Sequence, residues 1–276
     1  MMSSSRPLFP VVAVMVFTAL SCVSPAQQLN KDDSVARPTP QYAIPTMPAN
    51  PALPNIWIVG DSTAQNKKDW GWGDHFAHYV DTSRINVVNR ARGGRSSRTF
   101  IHEGAWDEVL KSVKPGDYVL IQMGHNDGGA LDGAKPRGTL KGIGDEQQEV
   151  TLLDGTHEVV HTFGWYVRKY IDDARAKGAH PMLLSLTIRN IWTDGHIERD
   201  MGYDGFIHQV AEQEKVPYVD MSDVEADRLE KMGPEKTAAF FPGDHTHTAP
   251  DGAEMVASCV AEALKEQHTD LAQYVK

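Results

Sequence analysis

The chain has 276 residues, 41% of them hydrophobic and 23% charged, an ordinary globular composition. Its formal net charge of −10 argues against nucleic acid as a partner, because phosphate contacts need a basic surface. About 220 residues remain after the N-terminal segment, enough for one α/β domain with a buried core.

Residues 1–26 read as an export signal. Arg6 supplies a weak positive region, and Phe9–Leu20 an apolar run too short to span a bilayer comfortably. Two processing routes fit. Ala19-Leu20-Ser21-Cys22 resembles a bacterial lipobox, which would leave Cys22 as a lipid anchor; Ser24-Pro25-Ala26 offers an ordinary small-x-small cleavage site. A periplasmic or extracellular protein is expected, touching a membrane only through Cys22 if at all. Residues 27–54, with Pro38, Pro40, Pro45, Pro48, Pro51 and Pro54, read as a Pro-rich linker. The only other cysteine, Cys259, sits among Val256, Ala257 and Val260 and reads as a buried small hydrophobe, so no disulfide is expected. No zinc-type Cys/His spacing is present, and neither a metal nor a cofactor is expected.

From Asn55 onward, apolar runs alternate with helical patterns. Strands are predicted at 55–60, 85–89, 118–124, 181–186 and 218–221. Helices are predicted around 73–81, 105–113, 159–174, 203–214 and 249–265, the third having the cleanest period, Val159, Val160, Phe163, Tyr166, Val167, Tyr170, Ile171 and Ala174. Residues 127–157 carry seven glycines and no clear period, and read as a long functional or mobile loop. Repeated β-α-β units with buried strands imply a parallel sheet covered on both faces. The expected fold is α/β, a three-layer α/β/α flavodoxin-like domain over 55–276 with a central five-stranded parallel sheet and the export signal and linker before it.

Four polar clusters fall at the edge of that sheet where ligands bind, outside the carboxyl ends of the strands. Gly60-Asp61-Ser62-Thr63 ends the first strand and offers Ser62 as a nucleophile; Gly, Asp and Ser are also ordinary turn residues. Gly93-Gly94 follows the second strand and could aim an N–H at an oxyanion, or be a simple glycine turn. Gly124-His125-Asn126-Asp127 ends the third strand. There Asn126 could donate its amide to the same oxyanion or cap a turn, and His125 is a candidate sugar contact. Asp244-His245-Thr246-His247 precedes the last helix, with Thr248 as its expected cap. His247 would be a base oriented by Asp244, and His245-x-His247 as a metal pair is the competing reading. Together the clusters supply nucleophile, base, orienter and oxyanion donors, the set that acyl transfer requires. Activity is then expected to fall on acidification through the imidazole range.

Gly60-Asp61-Ser62, Gly94, Gly124-His125-Asn126-Asp127 and Asp244-x-x-His247 resemble the blocks of the GDSL/SGNH hydrolases in order and approximate spacing. With Gly71-Trp72-Gly73 and Gly94-Arg95-Ser96-Ser97-Arg98-Thr99-Phe100, the chain is similar to the rhamnogalacturonan acetylesterase family over residues 53–266. The resemblance implies the SGNH form of the flavodoxin-like fold and removal of O-acetyl groups from pectic polysaccharide. It implies Ser62 as nucleophile, His247 as base and Asp244 as its partner, with an oxyanion hole from the N–H groups of Ser62 and Gly94 and the Asn126 side chain. A monomer is expected, with an acetylated pectic polysaccharide or oligosaccharide as substrate.

Arg90, Arg92, Arg95 and Arg98 crowd the Gly94 turn with no acid among residues 84–100. They could meet galacturonate carboxylates, Arg95 foremost, or pair with acids elsewhere. Trp72, Trp165 and Trp192 could stack on sugars or be buried packing. The rival readings are an acetylesterase on xylan or another acetylated sugar, a non-catalytic carbohydrate-binding protein, and a metal-dependent phosphoesterase using Asp61, His125 and His245/His247.

Overall fold

The computed structural model describes residues 48–276, so the expected export signal, Cys22 and most of the Pro-rich segment lie outside the described residues. The end of that segment packs on the domain. Asn50 N–H bonds Asn86 Oδ1 at 2.9 Å, and Lys114 Nζ donates to the carbonyls of Pro51 and Leu53 at 2.7 and 2.8 Å.

The elements in chain order are β1 (Asn55–Gly60), α1 (Trp72–His75), β2 (Asn86–Asn89), α2 (Ser97–His102), α3 (Ala105–Leu110), β3 (Tyr118–Gln122), β4 (Gln147–Thr151), β5 (His157–His161), α4 (Phe163–Ala176), β6 (His180–Leu184), β7 (Trp192–Thr193), β8 (His196–Ile197), α5 (Asp204–Glu214), β9 (Tyr218–Val219), α6 (Met221–Met232), α7 (Pro234–Ala238) and α8 (Pro250–Glu266). Five strands form a parallel sheet in the order β2-β1-β3-β6-β9, with Ile58 level with Asn89 and Gly60 with Gln122. This is the flavodoxin-like arrangement, and its strand order reverses between β1 and β3, where such folds bind ligands.

Strand alternation divides the core into two layers. Trp57, Val59, Val119 and Ile121 face one cluster, with Trp106 of α3, Tyr170 and Ile171 of α4 and Val210 of α5. Ile56, Ile58, Leu120 and Leu184 face the other, with Phe76 and with Val256, Val260 and Leu264 of α8. Both faces of the central strands are therefore dry, which is why they read as unbroken apolar runs.

Several elements differ from the sequence expectation. The helix expected at 73–81 is the single α-turn α1 followed by a 3₁₀ turn, Phe76–Tyr79. The 127–157 stretch is not structureless throughout: β4 pairs antiparallel with β5, Val150 opposite Glu158. Val159 and Val160 belong to β5 rather than to α4, because Thr162 caps that helix by accepting the Trp165 N–H at 3.1 Å. At α8 the cap position is Ala249, not Thr248, whose hydroxyl reaches Trp70 O at 3.5 Å. Cys259 is buried, and desolvation pushes its thiol up to about 12. Among the described residues no helix is long and apolar enough to cross a membrane.

Candidate active site

β1 ends at Gly60, and the chain turns at once into Asp61-Ser62-Thr63. Asp61 is fully buried; its Oδ1 accepts the Thr63 N–H and hydroxyl, both at 2.9 Å, which tightens the turn that presents Ser62. Burial raises the Asp61 pKa, against the pull of the Thr63 bonds and of nearby His247 and Arg189. A second layer braces the turn. Trp72 and Gly73 donate backbone N–H groups to Thr63 O and Ala64 O, both at 3.1 Å. A Cβ at Gly71 would lie 2.4 Å from the Ala64 backbone, so only glycine permits this approach. Trp72 is fully buried with its indole N–H on Gln122 Oε1 at 2.8 Å; it has no face left for a sugar, so of the two roles read for it the structure has packing and not sugar stacking.

Ser62 faces the loop before α8. Its hydroxyl donates to His247 Nε2 at 2.8 Å, and His247 Nδ1–H donates to Asp244 Oδ2 at 2.8 Å. Asp244 Oδ1 accepts the backbone N–H groups of Thr246 and His247 at 2.8 and 2.7 Å, so the carboxylate that orients the ring also shapes the turn carrying it. Burial alone would raise the Asp244 pKa, but the His247 side-chain and backbone hydrogen bonds outweigh it and hold the carboxyl well below the usual range. An ionised Asp244 stabilises an imidazolium at His247, the charge that forms when a base takes the serine proton.

Two further loops close on Ser62. Gly94 has φ +78°, a left-handed conformation that turns the chain after β2. Among the described residues, the N–H groups of Ser62 and Gly94 have no acceptor, while Asn126 gives one of its two amide hydrogens to Arg95 O at 2.9 Å. The other amide hydrogen is left for a ligand. The two loops are tied together by buried Asp127, which accepts the Ser97 N–H at 3.1 Å and its hydroxyl at 2.5 Å. Desolvation pushes Asp127 up to about 7.

The arginine cluster is not an open cationic face. Arg98 is fully buried, paired with Glu158 at 2.6 Å and donating to Leu131 O and Gly138 O. Arg95, the expected carboxylate reader, donates to Glu103 at 2.8 Å and to Gly93 O at 3.0 Å. The acids missing from 84–100 come from beyond that window, Glu103 at the far end of α2 and Glu158 in β5.

The segment after β6, Thr187-Ile188-Arg189-Asn190, also reaches the site. Asn190 N–H bonds His245 O at 2.7 Å, and Thr187 Oγ1 meets His125 Nε2 at 2.9 Å. His125 is half-buried, but its Nδ1 is buried without a partner, and desolvation, with Arg189, His247 and His245 beside it, holds its pKa well below the ordinary value. His125 is thus neutral. Arg189 Nε is likewise buried and unpartnered. Trp192 is half-buried, its indole N–H on Asn190 Oδ1 at 2.7 Å, which places it beside the same loop. Trp165 lies stacked on His161, 3.9 Å between ring centres. Arg189 and Thr187 went unnoticed in the sequence, though the signal was there: a polar run directly after a buried strand, as at the other three loops.

Residues 58–255 match the GDSL-like Lipase/Acylhydrolase family. A rhamnogalacturonan acetylesterase of Emericella nidulans is 35% identical over 76% of this chain and 84% of that protein. The rhamnogalacturonan acetylesterase RhgT of Bacillus subtilis is 30% identical over 76% of this chain and 89% of its own. Among solved structures, the YxiM protein of Bacillus subtilis superposes with a TM-score of 0.64 at 26% identity, covering 79% of this chain and 58% of that one. Axe2, an acetylxylan esterase from Geobacillus stearothermophilus, superposes with a TM-score of 0.52 at 15% identity, over 76% of this chain and 94% of that one, and shares the fold. With its sheet order, its Ser62 turn and this match over most of its length, the chain belongs to the GDSL-like lipase/acylhydrolase family.

Proposed function

We propose that the protein is a serine esterase that removes O-acetyl groups from pectic polysaccharide, rhamnogalacturonan in particular. The observation that carries the chemistry is the unbroken chain Ser62 Oγ–His247–Asp244, 2.8 Å at each link. His247 takes the hydroxyl proton as Ser62 Oγ attacks the acetyl carbonyl. The oxyanion is met by the N–H groups of Ser62 and Gly94 and the remaining Asn126 amide hydrogen. The sugar hydroxyl leaves with the proton from His247. Water, deprotonated by the same ring, then splits the acetyl-serine to acetate and free Ser62.

The substrate reading rests on the relatives named as rhamnogalacturonan acetylesterases and on Arg189. Arg189 bears on both Asp61 and His125, and Asn190 next to it bonds the catalytic loop. A guanidinium there suits a galacturonate carboxylate, which it can hold with two parallel bonds. A neutral His125 beside it does not add a competing charge. The export signal read at residues 1–26 fits an enzyme that meets its polymer outside the cytoplasm.

The test is acetate release from acetylated rhamnogalacturonan, homogalacturonan and xylan, with p-nitrophenyl acetate as a substrate lacking a uronate. Rhamnogalacturonan should be deacetylated fastest, and Ser62→Ala should abolish all turnover. Arg189→Ala should raise KM on the uronate oligomers by about tenfold or more, the worth of one charged hydrogen-bonded pair, and leave p-nitrophenyl acetate unchanged. Faster turnover of xylan, unaffected by Arg189→Ala, would transfer the enzyme to neutral acetylated sugars.

A further inference from the structure

Away from the Ser62–His247 pair, three metal-ligating side chains converge where α1 and its 3₁₀ extension pack on α8. His75 and His78 stand one turn apart, and Glu254 projects from the first turns of α8. His75 Nδ1 lies 2.6 Å and His78 Nδ1 3.0 Å from Glu254 Oε2, and all three ligand atoms fall within 4.8 Å of one another.

The second layer fixes which nitrogens carry protons. His75 Nε2 is 2.9 Å from the Asp69 carbonyl, which can only accept, so Nε2 holds the hydrogen. The Nδ1 lone pair of a neutral His75 then points straight at a carboxylate. That arrangement is repulsive unless the ring takes a second proton or a cation lies between. On the other side, Tyr79 Oη donates to Glu254 Oε1 at 2.7 Å and turns Oε2 toward the two rings. A backbone carbonyl behind a histidine and a hydroxyl on the carboxylate are the outer partners that orient metal ligands.

We propose that His75, His78 and Glu254 form a structural site for a divalent transition metal of the zinc class. Two imidazoles and one carboxylate suit zinc rather than magnesium or calcium, which prefer all-oxygen shells. Ligands about 2.1 Å from a tetrahedral zinc lie about 3.4 Å apart. The His78–Glu254 separations of 3.0 and 3.3 Å need little change. The His75–Glu254 contact must open by under an ångström. The side chains of His78 and Glu254 are 63% and 38% exposed, which gives them room to adjust and leaves the fourth position to water. The ion would pin α1, whose own Trp72 and Gly73 hold the Ser62 turn, to α8, the helix that follows His247. It would brace the two segments of the site without touching the reacting atoms.

The experiment is isothermal titration of metal-stripped full-length protein with zinc, beside thermal unfolding with and without zinc, for the parent, His78→Ala and Glu254→Gln. The expected result is one zinc per chain in the parent, and a melting temperature higher by about 5–10 °C when zinc stands a hundredfold above its dissociation constant. Both variants should lose that binding and that shift, and keep the parent's rate on p-nitrophenyl acetate in the absence of zinc. A parent that takes up no zinc, or variants that bind and shift as the parent does, would overturn the site and leave the cluster as a hydrogen-bond network around a charged His75.

Discussion

At the residue scale, Asn126 is the side chain whose role the geometry delimits most sharply. One amide hydrogen is held by Arg95 O, so the side chain is oriented before any ligand arrives. The loop that carries it is fixed by Asp127 on Ser97. A donor set in place beforehand costs no reorganisation during the reaction, and removing one such donor lowers kcat by about 10²–10³. Asn126→Ala should therefore lose turnover on that order with KM little changed, because in the proposed mechanism the missing contact is made to the oxyanion and not to the ground-state ester. Steady-state kinetics on p-nitrophenyl acetate, with circular dichroism as a check of folding, decide it. A variant that keeps near-parent kcat would take Asn126 out of the oxyanion hole.

At the scale of elements, α6 carries a buried acid that makes stability depend on pH. Glu225 is fully buried, accepts the Ile188 N–H on Oε2 at 3.0 Å, and has no partner for Oε1. Desolvation pushes it up to about 8. A carboxyl whose folded pKa lies above its unfolded value near ~4.3 binds more protons when folded, so stability is lost as pH rises through that interval. Between pH 5.5 and 8.5 the loss from this one group is about 2–4 kcal/mol. Glu225→Gln keeps an acceptor for Ile188 and cannot ionise. Denaturant midpoints should converge for parent and variant at low pH and separate at high pH, with the variant the more stable; parallel curves would show that Glu225 does not charge in this range. α6 also marks what the sequence concealed. β1, β3 and β6 were legible because burial on both faces makes them apolar throughout. α6, with buried Met221, Glu225, Ala226 and Leu229 among many charges, offers a weak stripe, and its Asp220 cap reads as a strand end. The hairpin β4–β5 buries Val150 and Val160 and little else, too few positions to set a period of two, while Val159 and Val160 mimic the helical spacing that begins at Phe163. The candidate-site loops were readable since each is local in sequence and lies after a strand or just before a helix. The His75–Glu254 pairing joins residues 179 positions apart, and nothing local announces it. Arg95 and Arg98 looked free only because their partners, Glu103 and Glu158, lie outside the window read.

For the whole molecule the proposed substrate poses the question of how an acidic protein would receive an acidic polymer. With 27 Lys and Arg against 37 Asp and Glu, the net charge of −10 repels a polyuronate at long range. In the proposed function the local attraction is one guanidinium, Arg189, whose Nε lies out of solvent. These two effects respond differently to salt. Exposed charges beyond a Debye length are screened, and that length falls from about 30 Å at 10 mM to about 8 Å at 150 mM. A pair formed inside a partly desolvated site is screened much less. Raising the ionic strength over that range should thus increase kcat/KM on acetylated rhamnogalacturonan by about threefold or more, since steering fields alter encounter rates by at least that much. Turnover of p-nitrophenyl acetate should stay level, because an uncharged ester meets neither field. A polymer rate that falls with salt would mean that cations near the site dominate the encounter, and half-buried Arg92, beside the Gly94 turn, would be the residue to neutralise next. A flat response would mean that chain docking is governed by contacts within the site alone, and the effect of Arg189→Ala should then account for the whole of the uronate preference.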